Sequence, residues 1–441
     1  MKPRVQVIAR READFGRANR SEGFKIFKNT DPSLHPLAQQ TEYVRAIRAA
    51  KMKKMFAKPF IGSLEGHSES VYSLCRHHKN TRTIISGGAD GEIRIWDLST
   101  RSCMRTIKAH PLTVNDVSCS PNSDLILSVG SDGNVCGFSE SSNFAFLSPS
   151  GALQSIDHSY SEPMFVTGGA TIDLWSPQRN SPIQTFDVAS TKDFKDTVFN
   201  MNETNLIATC AGDCSIMIAD TRTRTIARKI RMSMQSNAVD WNPQAPFYFI
   251  SANDDSACYL FDIRKTESAV RVYTDHLDPV TCISFSPNGK QFVTGSYDST
   301  VRIWDWENIK SRDCYHTQRM QRVFCVCVSP DSKYALCGSE DMNIRIFKTK
   351  ANEMLQSRSK KEERAQDYQE RLLKKWRFAP EVRAISEKQN LPKKLHKKRF
   401  ERAKMMEAYN RKALSRMAHA KNPESEKPQP LRERRVVLDE A

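Results

Sequence analysis

One eleven-residue pattern, met again and again, constrains this chain more than any total does. "GGADGEIRIWD" at 87–97 returns as "GSYDSTVRIWD" at 295–305. Looser copies read "VGSDGNVCGFS" (129–139), "CAGDCSIMIAD" (210–220), "ANDDSACYLFD" (252–262) and "GSEDMNIRIFK" (338–348), and a degenerate "GGATIDLWS" lies at 168–176. The aromatic near the end of each copy, or its replacement, falls at 96, 138, 175, 219, 261, 304 and 347, in steps of 42, 37, 44, 42, 43 and 43. A repeat of this length is one supersecondary unit that cannot bury its apolar face alone, so neighbouring units must stack.

A period of about 40–45 residues with Gly-His and Trp-Asp punctuation resembles the WD-repeat signature. Seven units predict an all-β fold, a seven-bladed WD-repeat β-propeller, here carrying basic α-helical N- and C-terminal extensions. The first unit shows the physics. Gly66-His67 opens it, and Asp90 falls in a turn between two strands, where it can take a hydrogen bond from His67. Ser86 and Trp96 can extend that chain, because a buried carboxylate is costly unless satisfied. The second unit offers His110, Ser128, Asp132 and Phe138, and the sixth His276, Thr294, Asp298 and Trp304. Other units keep the turn aspartate (Asp213, Asp255, Asp341) and lose partners. These Ser/Thr, His and Asp sets recur unit after unit in one register, which marks them as structural rather than catalytic. The last unit stops after "NIRIFK", and the spare strand "FIGSL" (60–64) can complete it and close the ring without edges. The propeller is therefore expected over about 59–349. Its third unit is irregular, with the shortest step and no Asp six residues before Trp175.

Charge divides the chain in the same places. Residues 1–58 hold 14 basic and 5 acidic side chains, 350–441 hold 26 and 14, and the middle holds 27 and 32. A mildly acidic body between basic extensions attracts polyanions at its ends. The 12 cysteines show no CxxC pair. Alternating Cys325 and Cys327 suit buried small hydrophobes. No secretory segment and no apolar run near 18 residues is present, so disulfides, zinc, other metals, cofactors and a membrane are not expected. No phosphate loop and no unrepeated nucleophile–base set points to an enzyme.

Upstream of the repeats, Thr41-Glu42 reads as a helix start, with Val44, Ile47 and Met55 on an apolar side and Arg45, Arg48 and Lys51 on another. That helix reads either as a strut or as a basic contact. Downstream, "KKEERAQDYQERLLKKW" (360–376) carries Ala365, Tyr368, Leu372 and Trp376 at helical steps. Pro380-Glu381 fits a second helix start and Leu391-Pro392 a third, ending near Ala420. The third helix concentrates Lys393, Lys394, Lys397, Lys398, Arg399, Arg402 and Lys404. Its apolar positions Leu395, Phe400, Met405, Met406 and Tyr409 form no single stripe. It is therefore expected to gain little from its own protein and to stay loose until a polyanion or groove holds it. These lysines and arginines, with Arg45 and Arg48, are the candidate RNA contacts, through backbone and shape rather than base reading. "KKLHKKR" also suits nuclear import. Domain boundaries are expected at 1–58, 59–349 and 350–421, with 422–441 disordered. Two units end in Asp-x-Arg, "ADTR" (219–222) and "FDIR" (261–264). Arg222 and Arg264 are either ordinary strand-end chemistry or adaptor contacts.

The combination "DPSLHP…EYVRAI…AAKM…FAKPF", then a propeller, then "PEVRAISEKQNLPKKLHKKRF" closely resembles the Sof-one family. Its members are WD-repeat components of the small-subunit processome, the U-three snoRNP-associated nucleolar particle, and metazoan members are also cullin-ring ligase substrate receptors. The likeness covers nearly the whole chain and departs from it in the first 20 residues and the third unit. It implies a non-enzymatic scaffold needed for pre-rRNA processing and 18S rRNA maturation, located in the nucleus and nucleolus. Implied partners are pre-ribosomal RNA, box C/D snoRNA and other processome proteins, WD-repeat proteins among them. The alternative it implies is a substrate receptor bound to a cullin-ring ligase adaptor. It also implies that Asp-x-Arg resembles the Trp-Asp-x-Arg box of such receptors.

Overall fold

In the computed structural model of this chain, seven antiparallel sheets succeed one another around a ring. The structure describes residues 36–121, 125–139, 143–147, 151–186, 193–353, 359–419, 432–433 and 435–437. Six blades take four consecutive strands each, over 71–108, 114–147, 155–186, 194–232, 236–273 and 280–315. The seventh takes three strands from 323–348 and borrows its fourth, Phe60–Leu64, from the start of the ring. That strand runs antiparallel to Ile344–Lys348, with Ser63 opposite Arg345 and Leu64 opposite Ile344. Leu64 is fully buried against Val71, Ile84 and Trp96 of blade one and Leu336 and Ile346 of blade seven. Leu64 thus packs across the join, where Cys325 of blade seven also meets Val71 of blade one. The seven-bladed propeller expected from the repeat period is the architecture found. Every anchor position, from Trp96 to Phe347, sits on the third strand of its blade.

The polar chain inside a blade has a definite direction of donation. In blade six Trp304 Nε1–H donates to Thr294 Oγ1 (2.9 Å), and Thr294 lies 2.7 Å from His276 Nε2. His276 Nδ1 lies 2.9 Å from Asp298. Burial holds His276 below its ordinary value despite Asp298, so its ring is neutral. Thr294 then donates to Nε2, and Nδ1–H donates to the carboxylate. Burial opposes the charge on Asp298, but His276, Thr300 and Arg302 outweigh it and hold the carboxyl at about 2. Blade one repeats the chain: Trp96 Nε1 to Ser86 (2.8 Å), Ser86 to His67 (2.7 Å), His67 to Asp90 (3.0 Å). Blade two keeps His110 between Ser128 (2.9 Å) and Asp132 (3.0 Å) and ends there, because Phe138 has no N–H to offer. The remaining blades substitute. Asp213 takes Ser215 and Lys229, and Asp255 takes the Tyr259 hydroxyl and Arg435. In blade seven Arg319 stands where the histidine would. There Arg345 reaches back to both Asp341 and Ser339. Blade three has no turn aspartate, yet Trp175 Nε1 still donates to Thr167 (2.9 Å).

The first strands of the blades contact one another around the axis. Four of them carry a half-buried aspartate that accepts a backbone N–H from the first strand of the next blade: Asp116 from Ile156, Asp157 from Phe199, Asp196 from Val239 and Asp240 from Phe285. Burial pushes these carboxyls up, to about 6, 7, 8 and 6 in that order. At Asp196 the Val239 N–H opposes the rise, and the neighbouring carboxyls add to it.

By compactness the chain falls into two units, one from Met1–Lys58 with Asn352–Lys388 and the other from Pro59–Ala351 with Gln389–Ala441. Residues 352–388 thus fall in the first unit and 389–441 in the second. In the first unit, helix α1 spans Ala38–Met55, α2 Lys360–Lys375 and α3 Pro380–Glu387. A capping box starts α2, with Glu362 N–H on Ser359 Oγ and Ser359 N–H on Glu362. Pro380 opens α3, where its missing N–H costs nothing. Ala46, Ala50 and Val382 form the core, flanked by Tyr43, Ile47, Leu373, Trp376, Ala379 and Ile385. The Tyr43 and Trp376 rings lie 5.3 Å apart. Two expectations for α1 are corrected. It begins three residues before Thr41, whose hydroxyl donates to Ala38 O inside the first turn. Its buried side is built on alanines, while Val44 and Met55 are exposed, because small residues let the helices approach closely.

In the second unit, the tail expected as disordered departs locally from that expectation. Val436–Val437 pairs with Arg231 and Met232 and adds a fifth strand to blade four. Ser233 N–H on Arg435 O (2.8 Å) and Ala269 N–H on Arg432 O (3.2 Å) continue the pairing.

Two stability outcomes follow from these networks. Thr294→Val keeps the shape but orphans Trp304 Nε1 and leaves His276 Nε2 without a donor. We expect a loss of about 2–4 kcal/mol in denaturant unfolding, with an unchanged slope. For Asp196, a folded pKa near 8 lies above the ordinary 3.8. Its stabilisation is full below the unfolded value and is lost as pH rises through the folded one. Asp196→Asn should therefore melt higher than the parent at pH 8, with the gap narrowing steadily toward pH 5.

Candidate functional site

Helix α4, Lys393–His419, belongs to the propeller's own unit and lies on it. Just before it, Gln389 Nε2–H donates to Ser311 O (2.7 Å) and Oγ (2.8 Å), and its Oε1 accepts from Arg302 (3.2 Å). Leu395 is 3 % exposed. Lys398 Nζ reaches both oxygens of Asp278, at 3.0 and 2.9 Å. Arg402 donates to Ser256 Oγ (2.8 Å) and to His276 O (2.7 Å). Positions 395, 398 and 402 step by three and four, so they share one helical face. The helix is thereby tied to the histidine that holds blade six together. This corrects the expectation of a helix that gains little from its own protein and stays loose until a polyanion or groove holds it. The docking face contains one apolar side chain, and the rest is cations meeting oxygens, which a search for apolar periodicity does not see.

The candidate RNA contacts separate accordingly. Lys398 and Arg402 face the propeller, whereas Lys393, Lys394, Lys397, Arg399 and Lys404 are exposed. Along the outward side, Lys393, Lys397, Phe400, Lys404 and Arg411 follow at steps of 4, 3, 4 and 7, all exposed. That stripe runs about 27 Å at 1.5 Å per residue. Glu401 and Glu407 stand to either side of it. Lys404 Nζ sits 4.5 Å from the centre of the Phe400 ring. The sequence reading did not include Phe400 and Arg411 among the contacts, although their spacing from Lys393 and Lys397 carries the signal. Arg45 and Arg48 belong to the other unit. Both are exposed, and Arg45 lies 3.4 Å from the Tyr368 hydroxyl.

Arg222 and Arg264 end equivalent third strands of adjacent blades, four and five. Each folds back on its own aspartate, Arg222 on Asp220 (3.2 Å) and Arg264 on Asp262 (2.9 Å). Their hydrogen bonds hold both carboxyls below the usual range. The guanidinium groups nonetheless stay largely exposed, at 71 % and 60 %, and Arg264 also covers the Phe247 ring at 4.7 Å. Local ion pairing and an outward donor face coexist here.

Each network histidine uses both ring nitrogens within its blade, so it has no nitrogen left for a substrate. Among the described residues no cluster of His, Cys, Asp and Glu could hold a metal ion. All twelve cysteines are free thiols, with Cys325 and Cys327 buried. No helix among those residues is long and apolar enough to cross a membrane.

These features define a WD-repeat propeller protein with a cationic helix fixed to blades five and six. The chain belongs to the Sof1-like family of WD-repeat proteins. Residues 349–436 match the Sof1-like domain, and 58–97, 101–139, 267–305 and 312–348 match the WD domain, G-beta repeat. Those four repeats leave out blades three to five, where the His–Asp chain is replaced. Relatives named DDB1- and CUL4-associated factor 13 align along nearly their full length. The Danio rerio protein is 37 % identical over 427 residues, covering 95 % of this chain and 96 % of its own. The Homo sapiens protein is 36 % identical over 429 residues, with the same coverage. The Dictyostelium discoideum protein is 34 % identical over 434 residues, covering 96 % and 97 %.

The docking geometry predicts how α4 is held. Arg402→Ala removes two charge-assisted hydrogen bonds. It should speed amide hydrogen exchange over 395–405 about ten- to a hundredfold, leaving the blade strands unchanged. Asp278→Asn breaks a partly exposed pair and should raise exchange only a few-fold. Unchanged exchange in both would mean that other contacts hold the helix.

Proposed function

We propose that this protein is a non-enzymatic ribosome biogenesis factor, a scaffold of the small-subunit processome. In this reading the propeller docks other processome proteins in the nucleolus. The basic helical extensions bind pre-ribosomal RNA and box C/D snoRNA, and the assembly supports pre-rRNA cleavage and small-subunit rRNA maturation. The observation that carries it is the outward stripe of α4. A docked row of cations, with inward Lys398 paired to Asp278 and inward Arg402 hydrogen-bonded to the propeller, is matched to a phosphate backbone. Each phosphate it neutralises releases counterions, which makes the contact strong at low salt and tolerant of sequence. Membership of the Sof1-like family is consistent with this role.

The test replaces Lys393, Lys397, Lys404 and Arg411 by alanine in the full chain, as the sole copy in cells. We expect crosslinking to pre-rRNA to fall at least about tenfold at low salt, with the deficit against the parent narrowing as salt rises because fewer counterions are released, and small-subunit rRNA precursors to accumulate. Crosslinking and particle entry at parental levels would overturn the reading.

A second reading has its own observation. Arg222 and Arg264 present exposed guanidinium groups at matched positions of adjacent blades, and the relatives are named for association with DDB1 and CUL4. A ligase-adaptor contact there predicts that Arg222→Ala with Arg264→Ala abolishes capture of DDB1 by the full chain. Undiminished capture would remove those boxes from the interface.

A further inference from the structure

Phe400 is the feature of α4 that a pure phosphate contact leaves unexplained. It stands in the middle of the cationic stripe, 61 % exposed, with Lys393 and Lys397 on one side and Lys404 and Arg411 on the other. Leaving a large aromatic in water forfeits the stabilisation that its burial would give. The helix docks through the opposite face, at Leu395, Lys398 and Arg402, so Phe400 contributes nothing to that docking. The Lys404 ammonium lies over the ring, 4.5 Å from its centre, and the side chain still stays 61 % exposed. A flat apolar face bordered by cations at one-turn spacing is the chemistry of a stacking platform. The cations hold successive phosphates, and an unpaired base lies on the ring. A duplex cannot use such a platform, because its bases are stacked on one another and its backbone alone is offered.

We infer that the outward stripe of α4 takes single-stranded RNA, with one unpaired base stacked on Phe400 and the flanking phosphates on Lys393, Lys397, Lys404 and Arg411. This rests on the RNA reading above and narrows it to unpaired segments. Stacking is open to any base, so the site selects for strandedness and not for sequence. Lys404 has two tasks in this arrangement: its ammonium sits on the ring and lies beside the phosphate of the stacked nucleotide. The docking pair Lys398 and Arg402 act as positioning residues, since they set the rotation of the helix that turns Phe400 outward.

The experiment measures fluorescence anisotropy of the full-length protein with two probes, an oligouridine single strand and a blunt RNA duplex of equal length. Phe400→Ala should weaken the single strand about tenfold or more and leave the duplex within about twofold. Phe400→Trp, which keeps a ring, should retain or strengthen single-strand binding. The fourfold alanine variant of Lys393, Lys397, Lys404 and Arg411 should lose both probes. If that variant loses RNA while Phe400→Ala binds the single strand as the parent does, the stacking inference fails and the RNA reading stands. A fourfold variant that binds both probes at parental affinity overturns both. An equal loss of single strand and duplex in Phe400→Ala also defeats the inference, since it would mean that the ring only shapes the cation row. Phe400 is exposed, so its variants should fold, and circular dichroism checks that they do.

Discussion

A carboxylate in a tight turn, largely taken out of water, is the constraint around which six of the seven blades are organised. The turn needs an aspartate to accept the backbone N–H groups at its corner, as Asp90 does from Glu92 and Asp298 from Thr300. Packing then encloses that charge, and the fold is tolerable only if further donors reach it. Blades one, two and six bring a neutral histidine, itself anchored by a serine or threonine. Blade four brings a serine and a lysine, blade five a tyrosine and the arginine of a distant tail, and blade seven an arginine from its own third strand. The chemistry differs while the condition is the same. Conformational order at the turns, and so the strand register of each blade, depends on meeting it.

Two of these solutions reach beyond their blade. Arg435 meets Asp255 from the end of the chain, and its neighbours Val436–Val437 lie as a strand on blade four. Arg402 takes the backbone oxygen of His276, the residue whose ring satisfies Asp298. Surface elements are therefore attached at residues that complete or neighbour the turn networks. A helix mounted on such a point keeps its rotation, and its outward side presents a fixed row of groups rather than an average over orientations. Rigidity of that kind lowers the ordering cost of binding.

How much of this was legible in the sequence depends on what kind of signal carried it. The ring, its seven members and the borrowed strand follow from a period of about 42 residues, because repetition and an incomplete last unit leave few topologies open. The His–Asp chains of blades one, two and six follow from spacing alone. The substitutes do not. Arg94, Arg302 and Arg345 occupy the same place in "EIRIW", "TVRIW" and "NIRIF", yet pair with Glu92, with Ser311 and Gln389, and with Asp341. Only in blade seven, where no histidine holds the turn, does this arginine take the turn aspartate, and the other partners are a fact of tertiary packing. The docking of α4 was hidden for a related reason. Apolar periodicity reports burial by the hydrophobic effect, and this helix is held by one leucine and a set of polar contacts. Its basic density was readable, but its division into an inward and an outward side was not.

The borrowed strand also sets a timetable. Phe60–Leu64 is made early, and its partner Ile344–Lys348 about 280 residues later. At bacterial-to-eukaryotic elongation rates of about 5–20 residues per second, that is a wait of roughly 15–60 s. Throughout it the nascent chain carries one strand with both edges open and, at the growing end, a ring that cannot shut. Blades can form in order as they emerge, each against the last, but the final join must wait for the tail to leave the ribosome. Translation speed and access of chaperones to residues 60–64 are thus part of how this ring comes to be closed, and a nascent chain stalled before Lys348 would hold an unclosed propeller.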